Sequence, residues 1–186
     1  MMPRRAVRRR SRRGGILVVA ACLTAGLWGC SSTLPEEDQI LRDALHTNFP
    51  TWRVVGERDL TKDQLARWKA EHAGQAPGIT TGEFFGDSTR CYAVLLTKPA
   101  EEGRRMRLVV MKPMPSGRFE TYFVFTESPA DTTPQIVTSQ AGEYQVLLEG
   151  RSVPVPTQGV VYLHGSGQQK LFFWNVTRFQ DIELTP

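Results

Sequence analysis

The sequence contains few of the residues from which metal sites, disulfide frameworks and reaction centres are built. Its 186 residues include three cysteines and three histidines, namely Cys22, Cys30, Cys91, His46, His72 and His164. No His-x-x-x-His pair occurs, so no helix face presents the two spaced imidazoles of that metal motif. The spacing predicts that His46 and His72 lie at helix ends or on the surface. No metal site and no cofactor are predicted.

Acidic residues are missing from the first 35 positions, where basic residues are concentrated. Seven of the 23 basic residues precede position 14, and they account for the net charge of +4. A chain that begins at position 30 has sixteen basic and 19 acidic residues, a net charge of −3. Nucleic-acid binding requires a concentrated positive surface, and this shorter chain does not supply one. No nucleic-acid partner is therefore expected.

The chain also has no hydrophobic run long enough to cross a membrane near its start. The uncharged stretch Ile16–Trp28 has thirteen residues, whereas a membrane-spanning helix needs about 20. It follows an arginine-rich segment, Arg4–Arg13, and this order is typical of a secretory signal peptide. The positive segment is expected to stay on the cytoplasmic side.

The residues that close this segment, Leu27-Trp28-Gly29-Cys30, resemble the lipobox of bacterial lipoproteins. The resemblance implies that the Cys30 thiol receives a diacylglycerol before cleavage, so residues 1–29 would be removed and residues 30–32 would form a lipidated tether. Ser31 follows Cys30 where an Asp could stand, and in this respect the chain resembles lipoproteins that are sorted to an outer membrane. The expected location is the cell envelope, lipid-anchored and facing the periplasm. Ordinary cleavage near Ala25–Gly29, or an uncleaved anchor, remains the alternative.

If Cys30 is acylated and Cys22 is removed, Cys91 is the one thiol left. A single thiol cannot form an internal disulfide, so residues 33–186 must be held together by a hydrophobic core in spite of an oxidising compartment. A chain of 157 residues suits one domain with a sizeable core.

Two helices are predicted before residue 75. Thr33 and Glu36 have the spacing of a capping box, with Pro35 in the first turn and apolar residues following at helical spacing. Thr61 and Gln64 form a second capping box, and Trp68 is expected on the buried face of that helix. Between the two helices, Trp52–Val55 is predicted to be a short strand.

Beyond residue 80 the pattern is that of β-structure. Short segments rich in β-branched and aromatic residues alternate with Gly, Pro and Ser. The predicted strands are 92–97, 106–111, 119–125, 144–148, 159–163 and 170–174. Short connections join antiparallel neighbours, and the segments 129–134 and 154–156 are predicted to be loops. The predicted fold is α+β, an antiparallel β-sheet with two N-terminal helices packed on one face or edge.

Three consecutive aromatic residues, Phe172, Phe173 and Trp174, occur in the last of these strands. Alternation along a strand places Phe173 on the face opposite Phe172 and Trp174. The preferred interpretation is that both faces are buried, with Trp174 in the sheet core. The alternative is an exposed aromatic residue that could contact a partner.

The segment 82–96 carries a second resemblance. Gly82-Glu83-Phe84-Phe85-Gly86-Asp87 followed by Tyr92-Ala93-Val94-Leu95-Leu96 resembles a pattern of small bacterial envelope proteins and the FG-GAP, or integrin-type, repeat of β-propellers. The late Lys170–Trp174 and Arg178-Phe179 are similar to the closing hairpin of the same envelope proteins. For those proteins the likeness implies a domain and no established activity.

In the FG-GAP repeat, spaced acidic residues bind calcium, an ion that takes six to eight oxygen ligands. Glu83 and Asp87 match acidic positions of the repeat, whereas Phe85 and Cys91 occupy positions where ligands are expected. Glu83 and Asp87 are thus only weak metal candidates, and we expect a glycine-containing turn that leads into a core strand. A single segment of this kind cannot form a propeller, which needs at least about four blades.

Two hypotheses for the function remain. The preferred one is a non-enzymatic binding or accessory module, with a possible envelope protein as partner. The alternative is an envelope hydrolase that uses Cys91, or Glu83 with Asp87, as an unrecognised site. The enzyme hypothesis requires these groups to converge in a pocket with perturbed pKa values. The segment His164–Gly167 lacks the Gly-x-Ser-x-Gly elbow and is predicted to be a hairpin turn.

Overall fold

The computed structural model describes residues 36–101, 103–127, 132–147, 151–165 and 167–184. The expected signal peptide, Cys30, the tether and the proposed cap at Thr33 lie outside these residues. Two α-helices are described, α1 (Glu36–Asn48) and α2 (Lys62–Glu71), together with a 3₁₀ turn at Glu57–Asp59. The strands are β1 (Arg53–Val54), β2 (Ile79–Gly82), β3 (Cys91–Pro99), β4 (Arg104–Pro113), β5 (Phe119–Glu127), β6 (Gln135–Ser139), β7 (Gly142–Gln145), β8 (Ser152–Val155), β9 (Gly159–Leu163), β10 (Gln169–Asn175) and β11 (Arg178–Leu184).

The α+β class with predominantly antiparallel strands agrees with the prediction, but the strands within the described ranges form three sheets instead of one. The first sheet has the order β1-β3-β4-β5, with β2 also paired to β3, and the second has the order β11-β10-β9-β6. A third sheet contains β7 and β8. All of these pairs are antiparallel. Periodicity within a strand carries no information about which strands pair, and for that reason the number of sheets could not be derived.

The strand predictions near the centre of each sheet are confirmed, and several at the margins are wrong. The sequence patterns missed β2, β6 and β8, and they indicated β11 only through the resemblance of Arg178-Phe179 to a closing hairpin. Ser152–Val155 is a strand although its Pro154 predicted a loop. It pairs on one side only, with β7, and proline is tolerated in strands of this kind. The predicted strand 144–148 ends at Gln145, with an isolated bridge from Val146 to Leu184.

Three hydrophobic clusters hold the sheets together. The first consists of residues from facing sides of the first and second sheets, among them Leu95, Leu108, Val160, Tyr162 and Phe172. The second joins Leu41, Leu45 and Phe49 to alternate residues of β3 and β4. The third joins the other side of the second sheet to the β7–β8 sheet. Phe172 belongs to the first cluster and Phe173 to the third, which confirms the alternation predicted for this strand.

Trp174 does not lie in the sheet core, contrary to the prediction. Its ring is half-buried near the end of β10, where it packs against Tyr122 and Phe179. Trp174 does lie on the same face of the sheet as Phe172, as predicted. The sequence pattern could not show that the buried core ends before Trp174 along β10. Trp68, by contrast, is buried as predicted.

The second helix begins as predicted. The Thr61 hydroxyl accepts a hydrogen bond from the Gln64 amide at 3.3 Å, and the Gln64 side chain accepts one from the Thr61 amide at 3.2 Å. This reciprocal pairing satisfies two amides that the helix start would otherwise leave unpaired. Gln64 also donates to the Thr133 carbonyl, and Trp68 Nε1 donates to the Gln75 carbonyl, each at 2.9 Å.

Candidate functional site

The loop between β2 and β3 holds the residues that the sequence analysis considered for metal binding or catalysis. It begins where Gly82 packs so closely that a Cβ atom would lie 2.7 Å from the Phe84 ring and 2.8 Å from the Gln158 side chain. The Glu83 amide donates to Gln158 Oε1 at 2.7 Å, while the Glu83 side chain is exposed. The start of the loop is therefore fixed by packing and by a hydrogen bond to the backbone.

Asp87 is engaged by a cation from the neighbouring sheet strand β4. Its carboxylate pairs with the Lys112 ammonium and also accepts a hydrogen bond from the Thr89 amide at 3.2 Å. The hydrogen bond from Lys112, more than any other contact, lowers the pKa of Asp87 below its ordinary value. A divalent ion at this carboxylate would have to compete with Lys112.

Phe85, which the sequence resemblance aligned with a ligand position of the calcium-binding repeat, is the centre of an aromatic cluster in the structure. Its ring centroid lies 4.7 Å from that of Tyr122, 4.9 Å from that of Trp174 and 5.7 Å from that of Phe179. Lys112 Nζ lies 5.0 Å from the same ring. We call Phe85, Tyr122, Trp174 and Phe179 the Phe85 cluster. Within the described ranges, no group of three or more His, Cys, Asp and Glu residues is arranged to hold a metal ion.

Cys91 is buried at the start of β3, as the sequence analysis expected. Its thiol donates to the Thr89 carbonyl at 3.3 Å. Burial, assisted by the nearby Asp87 carboxylate, raises the pKa of Cys91 to about 11. A nucleophilic cysteine needs a lowered pKa and access to substrate, and Cys91 has neither.

The three histidines occupy separate places in the fold. His46 is exposed in the last turn of α1. His72 caps α2, donating its amide hydrogen to the Trp68 carbonyl, and its ring packs against the Trp68 ring at a tilt of 43°, with the centroids 4.3 Å apart. His164 lies in the turn between β9 and β10, where its amide donates to the Gln168 carbonyl at 2.9 Å. The hairpin predicted for this segment is confirmed.

A polar cluster that the sequence analysis missed lies beside His164. The hydroxyl of the buried Tyr162 donates to Glu127 Oε1, and His164 Nδ1 lies 4.0 Å from the same oxygen. Burial, and then the Glu127 carboxylate, raise the pKa of Tyr162. His164 and His72 also line a pocket of about 190 Å³ between α2 and the β9–β10 turn. Tyr162, Glu127 and His164 come from β9, β5 and the β9–β10 turn, so no local sequence motif joins them.

A cationic and aromatic surface lies on the first sheet, and we call Trp52, Lys98, Arg107 and Phe123 the Trp52 patch. The Arg107 guanidinium lies 4.4 Å from the centre of the Trp52 ring and 5.2 Å from that of Phe123. Lys98 Nζ lies 4.8 Å from the Trp52 ring. Phe123 is 66% exposed, and its edge-to-face partner is Phe49 at 6.0 Å.

Neither cation of the Trp52 patch forms an ion pair with a described carboxylate. The Arg107 Nε atom is buried and has no hydrogen-bond acceptor. Two positive charges are thus held in place by aromatic rings and not by acidic side chains. Such a surface is suited to bind an anionic group that also offers apolar contact.

A separate apolar groove lies near the start of α1, and we call it the Met114 groove. It has a volume of about 340 Å³ and is lined by Ile40, Tyr92, Pro113, Met114 and Phe119, with Arg90 and Arg118 also contributing. Tyr92 and Phe119 meet edge-to-face at 5.9 Å. Ile40 is 44% exposed and Met114 is 40% exposed. The groove takes residues from a helix, three strands and two connections.

None of the helices in the described ranges is both long and apolar enough to span a membrane. Comparison of the chain with protein-family models, with curated proteins and with solved structures yields no significant match.

Proposed function

We propose that this protein is a lipid-anchored component of a bacterial cell envelope and acts as a non-enzymatic binding or accessory module. Residues 1–29 are its signal peptide, Cys30 carries the lipid, and residues 30–32 tether residues 33–186 to the membrane. Its expected location is the outer membrane, facing the periplasm. This location is supported by three features of the sequence: the arginine-rich segment, the short apolar run and the lipobox-like Leu27–Cys30.

We further propose that the two N-terminal helices cover one face or edge of the sheets. The contacts of Leu41, Leu45 and Phe49 with β3 and β4 support this arrangement for α1. Trp68 is buried in α2, and Gln64 is bonded to the segment before β6. In this arrangement the region of α1 nearest the tether lies beside the Met114 groove.

The surroundings of the proposed catalytic residues favour binding over hydrolysis. Cys91 is buried with a raised pKa, Asp87 is paired with Lys112, and Glu83 is exposed. General acid–base and nucleophilic catalysis need groups within hydrogen-bond reach of each other and of the substrate. Instead, Cys91 is packed in the core, Asp87 is in an ion pair with Lys112, and the Glu83 side chain is exposed to solvent.

The single observation that carries the binding proposal is that the Arg107 guanidinium lies within cation–π distance of both the Trp52 ring, at 4.4 Å, and the Phe123 ring, at 5.2 Å. Aromatic rings and arginine are the side chains that contribute most often to interface affinity. Here they are preorganised, because the Arg107 side chain is held by two rings before any partner arrives. The partner we propose is an envelope protein that presents a carboxylate beside an apolar side chain.

The proposal is tested by replacing Phe123 with a photo-crosslinking amino acid and irradiating intact cells. We expect one discrete adduct, identified by mass spectrometry, that is not obtained from the same probe at Val176, an exposed position between β10 and β11. Arg107→Glu should abolish the adduct, because the cation becomes an anion. Arg178→Glu, on exposed β11, changes the net charge equally and should leave the adduct intact.

Equal adducts at positions 123 and 176, or an adduct that survives Arg107→Glu, would contradict a specific role for the Trp52 patch. The amount of protein in the envelope fraction must be the same for all variants, so that lost binding is separated from lost anchoring.

A further inference from the structure

The Met114 groove lies close to the point where the chain leaves toward its proposed lipid. Cys30 precedes Glu36, the first residue of α1, by six positions. An extended chain spans at most about 3.3–3.6 Å per residue, so these six positions reach about 20 Å. Ile40, which lines the groove, follows Glu36 by four residues, or about 6 Å along a helix. Any lipid on Cys30 therefore holds the groove near the membrane.

The Met114 groove exposes large apolar side chains to solvent. Among the described residues, four large hydrophobic side chains are exposed, and two of them, Ile40 and Met114, line this groove. Pro113 and Phe119 extend the apolar lining. A groove beside a tether, with exposed apolar side chains at its opening, has the chemistry of a surface that lies in the interfacial region of a bilayer.

The cations of the groove match the headgroup layer. Arg90 and Arg118 line it, and neither forms an ion pair with a described carboxylate. Arg90 donates one hydrogen bond, to Thr81 Oγ1 at 3.2 Å. The sequence of the first turn of α1, Glu36-Glu37-Asp38, is acidic. Arg90 and Arg118 are the charged residues in the lining of the groove, so the apolar side chains must contribute a large share of the contact.

From the tether length, the exposed apolar side chains and the two arginines, we infer that the Met114 groove docks on the phospholipid surface. Ile40 and Met114 enter the interfacial layer, and Arg90 and Arg118 bind lipid phosphates. The inference rests on the proposed lipid anchor at Cys30 and adds to it a fixed orientation. The docked domain keeps one end of α1 at the bilayer. Phe49, which follows α1 and contacts Phe123, lies nine residues beyond Ile40, a distance of about 13 Å along a helix.

The test uses the processed, lipidated protein reconstituted into vesicles of phosphatidylcholine and phosphatidylglycerol. A Met114→Cys variant carries a polarity-sensitive fluorophore on the introduced thiol. Labelling is selective because Cys30 is acylated and Cys91 is buried. A Val176→Cys variant, at a position that is 82% exposed, is the matched control. Lipids with a quencher on the acyl chain then report the depth of each fluorophore.

We expect a blue-shifted emission and severalfold stronger quenching at position 114 than at position 176. Adding Arg90→Ala and Arg118→Ala should weaken the quenching in anionic vesicles, by about fivefold in docking equilibrium for each arginine. In vesicles of phosphatidylcholine alone, the same two substitutions should have little effect. This difference identifies the phosphate-binding role of the arginines.

Equal, water-like emission from both positions on a protein that floats with the vesicles would overturn the docking inference and leave the anchor standing. A protein that neither floats nor carries the acyl mass would overturn both. An emission shift that disappears when each vesicle holds one copy would assign the groove to a second copy of the chain, and would also overturn the inference.

Discussion

The Lys112 ammonium lies 5.0 Å from the centre of the Phe85 ring while it pairs with the carboxylate of Asp87. One cation thus joins Asp87 of the β2–β3 loop to Phe85, the residue that the sequence resemblance aligned with a ligand position of the calcium-binding repeat. The loop resembles a calcium site in sequence, and in structure it is held by a lysine and by aromatic packing.

Calcium should therefore leave the stability of the protein unchanged. A ligand that binds only the folded state adds about 2.7 kcal/mol at a hundredfold excess over its dissociation constant. At Asp87 the ion would first have to displace Lys112. We expect the same melting temperature in millimolar calcium and in EDTA. A rise of several degrees in calcium that Asp87→Ala abolishes would show that the loop binds the ion.

Trp68→Ala should destabilise the fold far more than Trp174→Ala. Trp68 is 2% exposed and donates a hydrogen bond to the Gln75 carbonyl, so its loss should cost about 3–5 kcal/mol. Trp174 is half-buried, so we expect about 1–3 kcal/mol, less than full burial would give. Denaturant titration of both variants measures the difference, and equal losses would place Trp174 in the core after all.

Asp59 should make stability depend on pH in the acidic range. Its buried carboxylate accepts hydrogen bonds from Arg53 at 2.5 and 2.6 Å and from the Gly56 amide at 2.9 Å. These contacts, with Arg53 first among them, lower the pKa of Asp59 below its ordinary value of 3.8. A lowered folded-state pKa contributes stability that is present above the unfolded-state pKa and lost as the pH falls through the folded-state value.

Asp59→Asn should consequently cost about 1–3 kcal/mol near neutral pH, and the gap to the original protein should narrow as the pH falls below 4. Urea titrations at several pH values test this directly. A gap for Asp59→Asn that stays constant down to pH 2 would contradict the ion-pair explanation.

The Cys91 thiol should be unreactive in the folded protein. With a pKa of about 11, roughly one thiol in a thousand is ionised at pH 8, and burial excludes the reagent as well. We expect alkylation to require denaturant and Cys91→Ala to leave every cellular phenotype of the protein intact. Rapid alkylation of the native protein would restore Cys91 as a candidate nucleophile.

The sequence was informative where a structural signal is local. The capping box at Thr61 and Gln64, the hairpin turn at His164 and the opposite faces of Phe172 and Phe173 each depend on residues a few positions apart, and all three are present. The missed strands depend on partners far along the chain. The strand β8 contains Pro154, so its composition predicts a loop. It forms a strand because it pairs with β7.

The candidate surfaces were beyond sequence reasoning for the same reason. Arg107 meets Phe123 only because β4 and β5 pair across a register shift at Leu108 and Val109. Trp52 reaches the same place through the pairing of β1 with β3. The spacing within β4 could place Arg107 on the same side as Val109, but no pattern in the chain showed which aromatic rings would lie beside it.

The lipid anchor is the central claim, and the mass of the mature N-terminus tests it most directly. Protein purified from the envelope should begin at Cys30 and carry the added mass of a diacylglycerol. Cys30→Ser should leave the signal segment uncleaved and the acyl mass absent, because no other residue presents a thiol at this boundary. An original protein that begins elsewhere without lipid, or a Cys30→Ser protein that is still acylated and trimmed, would contradict the account.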